Sequence, residues 1–118
     1  MDKWQALDTF WNSFGLPAYD AQTVPQGAKM PYITYEAITS ELDNKIALSA
    51  SLWYDSTSWL PISQKAQEVE SKIGGGYGVP YTGGRLWVTK ARAFAQRLAD
   101  VDNPATRRIV LQVEVEFQ

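Results

Sequence analysis

Residues Ile109 to Phe117 alternate without a break, with Ile109, Leu111, Val113, Val115 and Phe117 on one side and Val110, Gln112, Glu114 and Glu116 on the other. A period of two sends successive side chains to opposite faces of a strand, so this run predicts a β-strand with one face on a core and one in water. Such a strand cannot stand alone. Its backbone N–H and C=O groups need neighbours and its apolar face needs a cover. The rest of the chain must supply both.

Two helical runs can form the cover. In Lys3–Phe14, Trp4, Leu7, Phe10, Trp11 and Phe14 share one arc at 100° per residue, while Gln5, Asp8, Thr9, Asn12 and Ser13 lie elsewhere. Asp2 is the expected N-cap, and Gly15 followed by Pro17 the expected stop. Burying that stripe contributes about 1.5 to 3 kcal/mol per side chain before entropy costs, enough to hold the helix on a sheet. The second helix is predicted from Pro61 in its first turn to Ile73, with Ser58 as the cap and Ile62, Ala66, Val69 and Ile73 as a narrow apolar stripe.

Neighbouring strands are predicted at Tyr32–Ile38, opened by Pro31, and at Lys45–Trp53, joined into an antiparallel hairpin by a turn at Asp43 and Asn44. Tyr19–Pro31 reads as a loop. Arg85–Lys90 is a short strand. Residues 91–99 fit either a helical turn (Phe94, Ala95, Leu98) or a strand (Phe94, Gln96, Leu98), and are assigned as extended; Asp100–Pro104 is a turn. The order is α-β-β-α-β-β, an α+β fold over residues 1–118 as a single domain, a length that buries a core without disulfides or metal.

Composition removes many chemistries. With no cysteine and no histidine there is no disulfide, thiolate nucleophile, imidazole dyad or cysteine- or histidine-based zinc site. No run approaches the roughly 18 to 20 apolar residues of a membrane span, and no secretory leader pattern opens the sequence, so a cytoplasmic protein is expected. The glycine-rich stretch GGGYGVPYTGG at 74–84 is not a phosphate cradle: no lysine follows its spacing and it comes after a helix instead of opening one. It reads as a flexible connection displaying Tyr77 and Tyr81. Asp100 and Asp102 lack the further oxygen ligands of a calcium loop, and Glu114 with Glu116 reads as the wet face of a strand rather than a catalytic pair. No cofactor and no catalytic residue is expected.

Two features point toward association. Five tryptophans and six tyrosines in 118 residues fit either core aromatics or a buried interface. Charge is also segregated: residues 1–84 hold five basic and nine acidic side chains (net −4), residues 85–108 six basic and two acidic (net +4). Such a split suits head-to-tail packing against copies or an acidic partner, or else a solvated basic hairpin.

Several stretches resemble small morphogenesis proteins of long-tailed phages and prophages: F-W-x-S-F-G-L-P-A-Y at Phe10–Tyr19, Val24-Pro25, P-Y-I-T-Y at Pro31–Tyr35, S-L-W-Y-x-S-T-S-W at Ser51–Trp59, G-G-x-L-W-V at Gly83–Val88, F-A-Q-R at Phe94–Arg97 and the terminal R-R-I-x-L-x-V-E-V-E-F. The family they resemble is that of the tail terminator, or tail completion, proteins. The resemblance implies a four-stranded, mainly antiparallel sheet flanked by helices, in a subunit that forms a hexameric ring on the tail tube. The ring stops polymerisation and gives the head connector a docking surface; DNA passes through its lumen without specific binding. The implied partners are copies of the chain, the tail tube protein and the head–tail connector protein, with no membrane, and the implied place is the virion tail, assembled in the host cytoplasm. No catalytic residue is carried over. A neck or connector protein shares this build, and a stand-alone binding module is the reading from another class. The residues expected on contact surfaces are Trp53, Trp59, Tyr77, Tyr81, Arg85, Arg92 and Arg97.

Overall fold

The alternating C-terminal run is the centre of the sheet. In a computed structural model that describes residues 1–36, 45–99 and 103–118, it forms the strand Thr106–Phe117. The preceding elements are α1 (Lys3–Trp11) with a 3-10 turn at Asn12–Phe14, β1 (Ala18–Asp20), β2 (Tyr32–Tyr35), β3 (Ile46–Asp55), α2 (Leu60–Ile73), β4 (Tyr77–Tyr81) and β5 (Gly84–Ala99), which makes Thr106–Phe117 β6. The strands form one sheet in the order β1-β2-β3-β6-β5-β4; β1 runs parallel to β2 and every other neighbour is antiparallel.

This corrects the expected architecture. The sheet has six strands, not four, it is mixed, and the order is α-β-β-β-α-β-β-β. The two added strands lie where the sequence carries no period: β1 is three residues long, and β4 falls inside the glycine-rich stretch. The expected turn at Asp43 and Asn44, the end of the strand at Ile38, and Asp100 and Asp102 lie outside the described residues. The extended assignment of 91–99 matches β5.

Register sorts the side chains into two faces. On one, cross-strand rows run Ile33–Leu52–Ile109–Arg97, Tyr35–Ala50–Leu111–Ala95 and Tyr77–Val88–Val115–Ile46. Both helices lie here, with Phe10, Trp11, Ile62, Val69 and Ile73 fully or almost fully buried against the strands. Phe10 meets Trp11, Phe14 and Tyr77 edge-on at 4.8, 5.2 and 5.6 Å between centroids, geometry that suits ring quadrupoles.

Local signals fix the helices. Asp2 and Gln5 form a reciprocal capping box, each side chain accepting the other's backbone N–H at 2.8 Å. The far end is closed by Gly15 at φ +82° and by two lysines of α2: Lys65 donates to the Phe14 carbonyl at 3.0 Å and Lys72 to that of Ser13. These cations meet carbonyls left without helical partners. Helix α2 is capped at Trp59, without a side-chain cap, where Ser58 was expected; the Ser58 hydroxyl instead accepts the Leu60 N–H at 3.1 Å.

The sheet edges differ in how they are closed. On β1, the outward backbone of Ala18 is bound by the side-chain amide of Asn12, with Oδ1 accepting its N–H at 3.0 Å and Nδ2 donating to its carbonyl at 3.3 Å. Across β5 and β6, Arg85 and Gln118 exchange both backbone bonds, so Gly84, Leu86 and Val88 face β4 and the outward positions of β4 are Gly78 and Pro80. Proline has no N–H to leave unpaired there.

Candidate interaction surface

The second sheet face carries no helix. Its rows run Tyr32–Trp53–Arg108–Leu98, Thr34–Ser51–Val110–Gln96 and Gly78–Trp87–Glu116. Guanidinium groups cover the tryptophans of this face, Arg108 lying 4.7 Å from the Trp53 ring and Arg85 4.7 Å from the Trp87 ring. Trp53 Nε1 donates to Thr34 Oγ1 at 2.9 Å and Arg108 Nε to Ser51 Oγ at 3.1 Å, so the stacked pair is held from both ends. Gly76 passes flat against Trp87: a Cβ there would stand 1.9 Å from the ring.

Trp59 lies on the helix side, at the start of α2. Arg97 and Arg107 approach its ring at 5.0 and 5.2 Å; Arg97 also donates to Ser63 Oγ and Arg107 to the carbonyls of Thr57 and Pro104. Three of the expected contact residues, Trp53, Trp59 and Arg97, thus lie near the upper end of the β5–β6 hairpin, and Arg85 lies at its lower end. Arg92 is exposed in an irregular segment between Lys90 and Ala95, where β5 shifts register and Ala93 takes φ +57°.

Tyr77 and Tyr81 are placed differently from expectation. They belong to β4, paired to β5 across a two-residue turn closed by Gly83 at φ +93°, and not to a flexible connection. Both are half-buried on the helix side. Tyr77 packs on Phe10, and Tyr81 on Phe117 with its hydroxyl donating to the Gln118 carbonyl at 3.2 Å. Trp87, Arg107 and Arg108 complete the clusters and were not singled out from sequence. An arginine facing a tryptophan across two strands has no sequence spacing to announce it.

Two ion pairs join described residues around the sheet and α2. Lys45 meets Glu114 at 2.9 Å and Lys65 meets Glu68, and hydrogen bonding to Glu114 raises the Lys45 pKa. None of Arg85, Lys90, Arg92, Arg97, Arg107 and Arg108 forms an ion pair with a described residue. Among the described residues no cluster of carboxylates could hold a metal ion, and no helix is long and apolar enough to cross a membrane. The surface therefore offers guanidinium-covered aromatics and cations without an ion pair to a described residue.

No family model matches the sequence, and no curated protein does. Among solved structures, the fold is similar to that of a chain in the virion of a native gene transfer agent particle, with a TM-score of 0.61, 19% identity, and coverage of 94% of this chain and 83% of that one. At that identity the likeness is one of fold.

Proposed function

We propose that the chain is a structural, non-enzymatic subunit of a phage-type particle, acting as a tail terminator: copies form a ring on the end of the tail tube, end its growth and present a surface to the head connector. The observation that carries this reading is the fold likeness to a chain of a gene transfer agent virion across 94% of the sequence. The family resemblance of the sequence supports the station on the tail. The segregated charge supports heterologous contacts, in which one surface meets a different surface on the neighbour, as a closed ring requires.

The test is sedimentation velocity over a wide concentration range, alone and with purified tail tubes, followed by imaging of the tubes. A species near six times 13.2 kDa, or a ring on tube ends, is the expected result. A chain that stays monomeric, leaves tube ends bare and binds the head connector instead would overturn the terminator assignment in favour of a neck protein.

A further inference from the structure

Besides the outer edge of β4, a further stretch of strand edge is open among the described residues. β4 pairs only with Gly84–Val88, so beyond Val88 the outer side of β5 has no strand partner among the described residues. The alternation along β6 shows which groups are free there. Gln118 bonds β5 through its backbone while Ala105 bonds Ser56 next to β3, so even-numbered β6 residues face β5 and odd-numbered ones face β3. Gln96 and Leu98, opposite Val110 and Arg108, therefore point their backbone groups inward, and Ala95 and Arg97 point theirs outward. Both residues are exposed.

Beside this edge lies a groove of about 170 Å³ between α2 and the hairpin, lined by Ser63, Ala66, Ala95, Gln96, Arg97 and Ile109. Arg97 lines the groove, and Lys90 and Arg92 precede it on the same strand; all three are exposed and without an ion pair to a described residue. A strand edge next to a helix is the geometry for strand addition, in which backbone bonds give affinity and a groove receives alternate side chains. The cations set the sign of the ligand. They also disfavour pairing of two such edges, which would bring like charges together.

We propose that the Ala95–Arg97 edge of β5 is a docking site for an extended acidic segment of a partner protein, added as a further strand with alternate small or apolar side chains in the α2 groove. The proposal stands apart from the tail role, since it concerns one edge of one subunit.

The probe is a short, end-blocked fluorescent peptide of alternating glutamate and valine, titrated with the chain at concentrations where sedimentation shows monomer. The expected result is saturable binding with slowed amide exchange at Ala95 and Arg97, and loss of binding when alternate peptide nitrogens are methylated. Lys90→Glu with Arg92→Glu, exposed side chains that form no ion pair with a described residue, should weaken binding roughly tenfold or more, the scale of two exposed charge pairs turned repulsive. Equal binding of a lysine–valine peptide, unchanged binding of the methylated peptide, or exchange changes elsewhere but not at Ala95 and Arg97 would overturn the proposal. So would absence of binding by chain that remains folded.

Discussion

Asn12→Ala tests whether a side chain can substitute for a neighbouring strand. The Asn12 amide accepts the Ala18 N–H at 3.0 Å, donates to the Ala18 carbonyl at 3.3 Å, and also donates to the Asp8 carbonyl at 2.9 Å at the end of α1. A net hydrogen bond is worth about 0.5 to 1.5 kcal/mol, and water can reach part of this edge, so losing the set should cost about 2 kcal/mol. In a domain of this size that lowers Tm by roughly 8 °C. Urea unfolding followed by circular dichroism measures the loss, and amide exchange at Ala18 localises it. Asn12→Asp is the sharper companion. It keeps the acceptor for Ala18 but sets a carboxylate against that of Asp8, whose Oδ1 lies 3.1 Å from Asn12 Nδ2, so at pH 7 it should be no more stable than Asn12→Ala. If both variants stay within about 0.5 kcal/mol of the parent, water satisfies β1 and the side-chain closure of that edge is refuted.

Three further outcomes follow from the packing. Burial, followed by the hydrogen bond to Asp8, raises the Tyr35 pKa, and burial raises that of Tyr54. A raised folded-state pKa means the unfolded chain loses its proton first, so stability should fall as pH rises above about 10, and Tyr35→Phe should flatten that alkaline limb in urea titrations. Gly76→Ala forces a Cβ to within 1.9 Å of the Trp87 ring at φ +154° and should cost about 3 kcal/mol, whereas Gly75→Ala, with nothing within 4 Å, should be close to neutral by the same measurement. Leu111→Ala, fully buried on the central strand, should cost about 2 to 5 kcal/mol in chemical denaturation, and a loss under 1 would contradict the placement of β6 at the core.

What the sequence displays is periodicity, and periodicity reports burial on one face. The β6 run, the stripe Ile62–Ala66–Val69–Ile73 and the arc Trp4–Leu7–Phe10–Trp11–Phe14 were legible for that reason, and all of those residues are buried except the polar face of β6 and Trp4, which is exposed at the end of its arc. The missed strands have another cause. β1 is held by backbone bonds such as Ile33 N–H to the Pro17 carbonyl and by the Asn12 amide, which leave no alternating pattern in three residues. β4 reads as loop because the glycines flanking it answer tertiary demands: Gly76, just before it, lets Trp87 approach, and a Cβ on Gly84 in the partner strand would lie 1.8 Å from the Gln118 carbonyl oxygen. Close approach between distant segments is invisible in local propensity. The contact residues show the same division, since Trp53 and Trp59 could be named from composition while their partners Arg108 and Arg107 depend on strand register.

The five tryptophans admitted a core reading and an interface reading, and the structure divides four of them by residue, the fifth, Trp4, being exposed on α1. Trp11 is core, fully buried. Trp53, Trp59 and Trp87 are half-buried, and each is approached by at least one guanidinium. A stacked arginine at an exposed site contributes about 0.5 to 1 kcal/mol, enough to favour the covered ring but small enough for a partner to displace. For the ring subunit proposed above, this arrangement would reconcile solubility before assembly with apolar contact after it. Bare tryptophans on an open sheet face would associate indiscriminately, whereas rings under arginines tethered by hydrogen bonds, Arg108 to Ser51, Arg85 to Gln118 and Arg97 to Ser63, present charge to solvent over the apolar area. None of these arginines forms an ion pair with a described residue; each donates to neutral acceptors, so a carboxylate on a partner would be the stronger acceptor offered to it.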